Sequence, residues 1–247
     1  MYGWRGRIGY ISAGTGEVAG QELFRAAPKG VETLHGNLFL KEDGPTEIEV
    51  VPAALEDMAE RLAKRAEVDM LVVAGYFLPA LAHRAGVGDP LASETEWISH
   101  LEGLAGRPVI TGIRAQVEAM QSREVRRPVV VVPGPADSFL KLRGYLRASG
   151  FEVASLQGMD ISAYAEPYLV PLHVSYRFAK EAFLDVSQAD ALLLPESSFP
   201  FAANVAILER DLGVPVFLDS LCSLWSCLRR LHIRDSVSGW GGLFEKV

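Results

Sequence analysis

Short, wholly apolar runs that stop at glycine or proline recur along the chain: Ile8 to Ile11, Met70 to Val73, Val129 to Val132 and Leu192 to Leu194. Runs of three or four without polar alternation read as strands buried on both faces, the pattern of a parallel sheet covered by helices. Between them the period changes to three and four. Leu55, Met58, Leu62 and Ala66 mark one helix with Pro52 just ahead of it, Phe139, Leu142 and Leu146 a second, Phe178 and Ala182 a third, and Leu221 to Leu231 the last. Strand and helix in alternation imply right-handed crossovers and parallel sheets.

The pattern also repeats. Arg7 to Gly14 aligns with Pro128 to Pro135 and Val68 to Gly75 with Ala189 to Glu196, both at an offset of 121 residues. Gly106 to Val109 aligns with Gly213 to Val216 at an offset shorter by 14, so the first half carries about that many extra residues between its second and third motifs. Self-similarity of this kind predicts two like halves facing each other, with the strand ends at Gly75 and Glu196 on one cleft. The polar stretch from Ser122 to Arg127 marks the boundary. The first half is expected to span 1–120 and to be joined by the C-terminal helix and tail, about 221–247, with 121–220 as the second. The extra residues fall around Ala85 to Glu94, a glycine-containing loop that reads either as a flap over the cleft or as a surface excursion.

Composition narrows the function classes. Of 247 residues, 49% are hydrophobic and 22% charged, as in a globular chain with a sizeable core. No apolar run is long enough for a membrane helix, and the one after the N-terminus is too short and glycine-broken for a signal peptide, so a cytoplasmic protein is expected. A net charge of −7 without a basic run argues against nucleic acid. The five histidines, His35, His83, His100, His173 and His232, have no metal-ligand spacing, so no metal is expected. Cys222 and Cys227 lie five apart, off a common helix face, and read as buried free thiols. Trp4, Trp97, Trp225 and Trp240 read as packing residues.

Parallel sheets bind ligands beyond the carboxyl ends of their strands. That rule selects Ser12 to Glu17, Gly75 to Phe77, Pro133 to Pro135 and Pro195 to Phe199, with Asp219 and Ser220 as a fifth segment. Small glycine-rich and serine-rich turns suit a carboxylate, which accepts from backbone N–H groups and hydroxyls. Gly14, Thr15, Gly16, Gly75, Tyr76, Gly134, Ser197 and Ser198 are therefore the candidate substrate-binding residues. Glu196 is the candidate general acid or base if burial raises its pKa. Its plain alternative is an acid in the first turn of a helix, and that of the serines is helix capping. Gly14 to Ala19 also fits a glycine-x-glycine-x-x-alanine dinucleotide fingerprint, but no acid stands at the end of a clear second strand to bind a ribose.

The opening from Tyr2 to Ile11, the run from Leu208 to Val216 with Leu224 and Trp225 after it, and the tail from Gly239 to Phe244 resemble the aspartate/glutamate racemase superfamily, in its maleate isomerase and arylmalonate decarboxylase branch. The resemblance covers nearly the whole chain. It implies two pseudo-symmetric flavodoxin-like halves, each a four-stranded parallel sheet flanked by helices, and a lyase or isomerase that works on a small carboxylate without cofactor. In that superfamily a cysteine at one or both strand ends does the acid, base or nucleophilic work. Here those positions hold Gly75 or Tyr76 and Glu196, residues 13–17 replace a proline- and serine-containing turn, and Gly134 or Pro135 replaces a tyrosine. The expectation is a decarboxylase or enolising isomerase with Glu196 in place of the cysteine. The alternatives are an inactive carboxylate-binding paralogue and a dinucleotide-dependent oxidoreductase. Assembly into a homo-oligomer is left open.

Overall fold

A computed structural model of the chain describes residues 2–13, 18–38, 52–75, 89–164 and 166–245. Two four-stranded sheets form, each wholly parallel. In the first, β1 (Gly6–Ala13) lies between β2 (Val31–Leu38) and β3 (Met70–Val73), and β4 (Val109–Thr111) completes the order β2-β1-β3-β4. The second repeats it as β6-β5-β7-β8, with β5 (Pro128–Pro133), β6 (Ser155–Met159), β7 (Ala191–Leu194) and β8 (Val216–Leu218). Helices alternate with the strands: α1 (Val18–Ala26), α2 (Pro52–Lys64), α3 (Pro90–Ala105) and α4 (Gly112–Ser122) in the first half, then α5 (Leu140–Ala148), α6 (Leu172–Leu184), α7 (Ala202–Leu212) and α8 (Asp219–Arg230).

The sequence repeat persists down to single hydrogen bonds. Asp69 accepts from the Arg7 N–H at 2.7 Å, and its counterpart Asp190 accepts from the N–H groups of Arg126 and Arg127 at 2.7 and 2.8 Å. Each thereby fixes the entry to the central strand of its half. Glu102 and Glu209 likewise accept from the first N–H of β4 and β8, those of Val109 and Val216, at 3.0 and 3.1 Å. Gly106 and Gly213 end α3 and α7 in the left-handed conformation. Of the fourteen extra residues in the first half, part lengthens a helix, since α3 has 16 residues and α7 has 11. The remainder lies between β3 and α3. Pro90 to Glu94, expected in the loop, form the first turn of α3, whose cap is Asp89 accepting from the Leu91 N–H at 3.0 Å. Residues 76–88, which include Ala85 to Gly88 of the expected flap, lie outside the described residues.

Burial shows how the halves meet. β2 and β6 are only partly covered, whereas β4 and β8, also sheet edges, are buried throughout because they turn towards the junction. One continuous core runs from Ile8 and Tyr10 through Ile113 and Met120 to Val129, Leu193 and Leu224, crossing from half to half; a second, under α2 and α3, belongs to the first sheet. The last helix, α8, packs on α1 and α4 of the first half. Arg230 in its last turn pairs with Glu118 of α4 at 2.7 Å. The tail is tied to the N-terminal segment by Arg5 donating to Asp235 Oδ1 at 2.8 Å and to the second half by the Gly242 N–H donating to Glu209 at 2.7 Å. Trp225 is buried, but Trp4 is 63% exposed and lies over Gly30, so it is a surface residue and not core packing. Among the described residues no helix is long and apolar enough to cross a membrane.

Candidate functional site

The carboxyl ends of β3 and β7 come together. Gly75, two residues past β3, lies so close to the second half that a Cβ on it would stand 3.4 Å from the Pro195 carbonyl oxygen, one residue before Glu196. Gly75 has φ +59°, a left-handed conformation that glycine adopts without strain. Gly75 and Pro195, the residue before Glu196, thus meet at the junction between the halves.

Asp219, the first residue of α8, fills the junction. It is fully buried; its Oδ2 accepts from the Tyr10 hydroxyl of β1 at 2.5 Å and its Oδ1 from the Gly75 N–H at 3.1 Å. The next residue, Ser220, donates to Glu22 of α1 at 2.5 Å, and the other Glu22 oxygen accepts from the N–H groups of Phe201 and Ala202 at 3.1 and 2.8 Å. Glu22 therefore caps α7, whose N-cap position, Phe201, has no side-chain oxygen to do it. Because α7 begins only at Ala202, Glu196 is not a first-turn acid and Ser197 and Ser198 are not its caps; all three occupy the turn that leaves β7.

The electrostatics follow from this crowding. Glu196 keeps some exposure, yet the protein atoms around it desolvate its carboxyl and the charge of Asp219 stands near, and together these push it up to about 8. Burial also pushes Asp219 up to about 7, against the opposing effect of the hydrogen bonds from Tyr10 and Gly75; the charge of Glu22 adds to the rise. Burial raises Glu22, which its three donors partly offset. A carboxyl that holds its proton near neutral pH is suited to deliver one.

The remaining candidates divide. Gly134, at the end of β5 with φ +84°, gives its N–H to the Met159 carbonyl at 2.8 Å, and the Gly75 N–H is held by Asp219, so both backbone donors expected for a substrate already have protein acceptors. Ser198 lies half-buried in the turn after Glu196. Gly14, Thr15, Gly16 and Tyr76 lie outside the described residues, as does most of the glycine fingerprint. Cys222 and Cys227 are buried in α8, and burial pushes the first thiol well up and the second to about 12, which makes neither a ready nucleophile. A surface pocket of about 320 Å³, lined by Arg123, Glu209, Pro215 and Gly242 among others, lies at the amino end of β8, away from Glu196. Among the described residues no cluster of three or more His, Cys, Asp or Glu is arranged to hold a metal.

Sequence reasoning placed Asp219 at a strand end but missed Tyr10 and Glu22. Tyr10 sits within an apolar strand and reads as core; Glu22 sits in an amphipathic helix and reads as solvated. Their roles appear only when the halves are joined.

The chain matches a family model described as arylmalonate decarboxylase over residues 48–244. A maleate isomerase of Nocardia farcinica (strain IFM 10152) is 27% identical over 133 residues, so the match spans 53% of this chain and only 52% of that one. A maleate isomerase of Pseudomonas putida (strain ATCC 47054) is 26% identical over 205 residues, 78% of this chain and 77% of that one. The solved structure of unliganded arylmalonate decarboxylase superposes with a TM-score of 0.78 at 21% identity, covering 98% of this chain and 100% of that one, which shows a shared fold.

Proposed function

The chain belongs to the arylmalonate decarboxylase family, and from that premise we propose that it is a cofactor-independent decarboxylase or isomerase of a small carboxylate in which Glu196 is the acid or base. One observation carries the reading: the position that the resemblance gives to a cysteine holds a carboxyl pushed up to about 8 at the inter-half junction. In decarboxylation the bond from the α-carbon to the departing carboxylate breaks, and its electron pair enters an enediolate on the retained carboxyl group. Glu196 then gives its proton to the α-carbon and regains one from solvent. In isomerisation its ionised form removes an α-proton first and returns it after the enediolate forms. Addition of a thiolate to maleate is a different chemistry, and it needs a sulfur that neither strand end supplies. Ser198, Thr15, Gly16 and Tyr76 are the proposed donors to the substrate carboxylate.

Turnover of a panel of malonates, maleate and α-chiral acids tests this. Wild type should turn over at least one compound and Glu196→Gln should lose about 100-fold or more, the scale of a general acid; equal rates would remove Glu196 from the mechanism. The absence of cysteine at both strand ends favours a second reading, a paralogue that binds a carboxylate without converting it. Saturable binding with no turnover of any panel member would support that reading.

A further inference from the structure

The first turns of α4 hold strand ends of both halves. The N–H of Ile113, one of the donors that a helix start leaves without an intrahelical partner, donates to the Gly75 carbonyl at 3.1 Å. Three residues on, Gln116 crosses to the second half. Its side-chain nitrogen donates to the carbonyl of Leu194, the last residue of β7, at 2.9 Å and to that of Phe217 in β8 at 3.2 Å. Both neighbours are carbonyls, which only accept, so the end of the amide that faces them is its NH₂ group. Leu194 stands two residues before Glu196, and Phe217 two before Asp219. Gly75 and Pro195, which meet across the junction, therefore lie at or next to anchors on one and the same helix. Gln116 is fully buried, and its oxygen has no hydrogen-bond partner among the described residues, a cost that an apolar side chain of the same length would avoid. Core filling alone thus does not account for an amide here.

The grip is one-sided. Ser223 occupies the corresponding place in the second half, since it follows the head of α8 as Gln116 follows the head of α4. It is buried too, but its hydroxyl has no hydrogen-bond partner among the described residues, so this position of α8 does not hold the first half in return. We propose that Gln116 is a positioning residue: through its amide, α4 of the first half grips the carboxyl ends of β7 and β8 and sets where the turn carrying Glu196 stands against Gly75. Without the amide the two carbonyls lose a donor, and the turn is placed by its own half alone. This inference rests on the reading of Glu196 as the acid or base, but the place of the turn is read without turnover.

The experiment compares Gln116→Met with wild type, both as the full chain, because methionine keeps the length of the side chain and removes the donors. In crystal structures of the two, the turn from Pro195 to Ser198 should move against Gly75 by about 0.5 Å or more, the tolerance of a working site. With a compound that wild type converts, kcat should fall about 10- to 100-fold, as expected for a misplaced reacting group. The solvent deuterium isotope effect on kcat should rise at the same time, because delivery of the proton becomes the slow step. A merely structural role would lower the amount of active protein and leave that isotope effect as it is in wild type. Gln116→Asn, whose amide is one methylene short of its acceptors, should give the same shifts and serves if Gln116→Met does not fold. A turn that stays in place in a folded variant, an unchanged kcat, or a lower kcat with an unchanged isotope effect overturns the proposal. If the turn moves but wild type converts no compound of the panel, the catalytic reading of Glu196 fails and the positioning of the turn by Gln116 stands.

Discussion

Gly112 and Asp219 occupy equivalent places, each at the head of the helix after the last strand of its half, and the space between them admits one side chain. Alanine normally stabilises a helix relative to glycine by about 0.5–1 kcal/mol. Here the added methyl would fall 1.8 Å from Asp219 Oδ1 and 2.6 Å from the Gly75 nitrogen. Gly112→Ala should therefore destabilise the protein by about 1–3 kcal/mol, the cost of overpacking, and chemical denaturation measures it; a gain in stability would show that the carboxylate has room to move. The part of the candidate site that strand ends define, Gly75 and Glu196 with the serines, was legible from apolar runs that stop at glycine or proline. Tyr10 was not, because a tyrosine inside a buried strand has the same pattern whether its hydroxyl is structural or part of a site.

Among the elements, α7 is unusual in being capped by another half's helix. Glu22 accepts from the Phe201 and Ala202 N–H groups, where a serine or aspartate at the N-cap would ordinarily serve. Glu22→Ala should cost about 1–2 kcal/mol, the upper range for a lost cap, whereas Glu22→Gln keeps an acceptor oxygen and should lose little; equal losses in urea unfolding would refute the capping role. All four strands read from apolar runs are present, as are the helices, because their periods leave little ambiguity. The last helix begins at Asp219, two residues before the expected Leu221, since a strand-end acid in the first turn carries no apolar mark. Partly covered β2 and β6 have mixed sequences, and their place in the sheets follows from the topology of the repeat.

At the scale of the molecule, the junction concentrates acids that the fold withdraws from water, Asp219 wholly and Glu196 in part. Glu196 and Asp219 have native pKa values raised above those of the unfolded chain, to about 8 and about 7, so the native state binds more protons between the unfolded and native values. Their contribution to stability is present in full below the unfolded values and is lost as pH rises through about 7 and 8. Stability should fall between pH 5 and pH 9, and Glu196→Gln should flatten the slope; a wild-type profile that rises with pH would contradict the assigned burial. The fold was legible as a whole because the sequence repeats itself, down to Asp69 and Asp190, while the charge of the site was not, because it arises from residues of both halves meeting.

The most direct test of the central claim, that a carboxyl at the inter-half junction delivers the proton, is proton NMR of products formed in D₂O. With a substrate that wild type converts, the account predicts deuterium at the α-carbon of the product and loss of its formation in Glu196→Gln. Deuterated product formed at the same rate by both would contradict it.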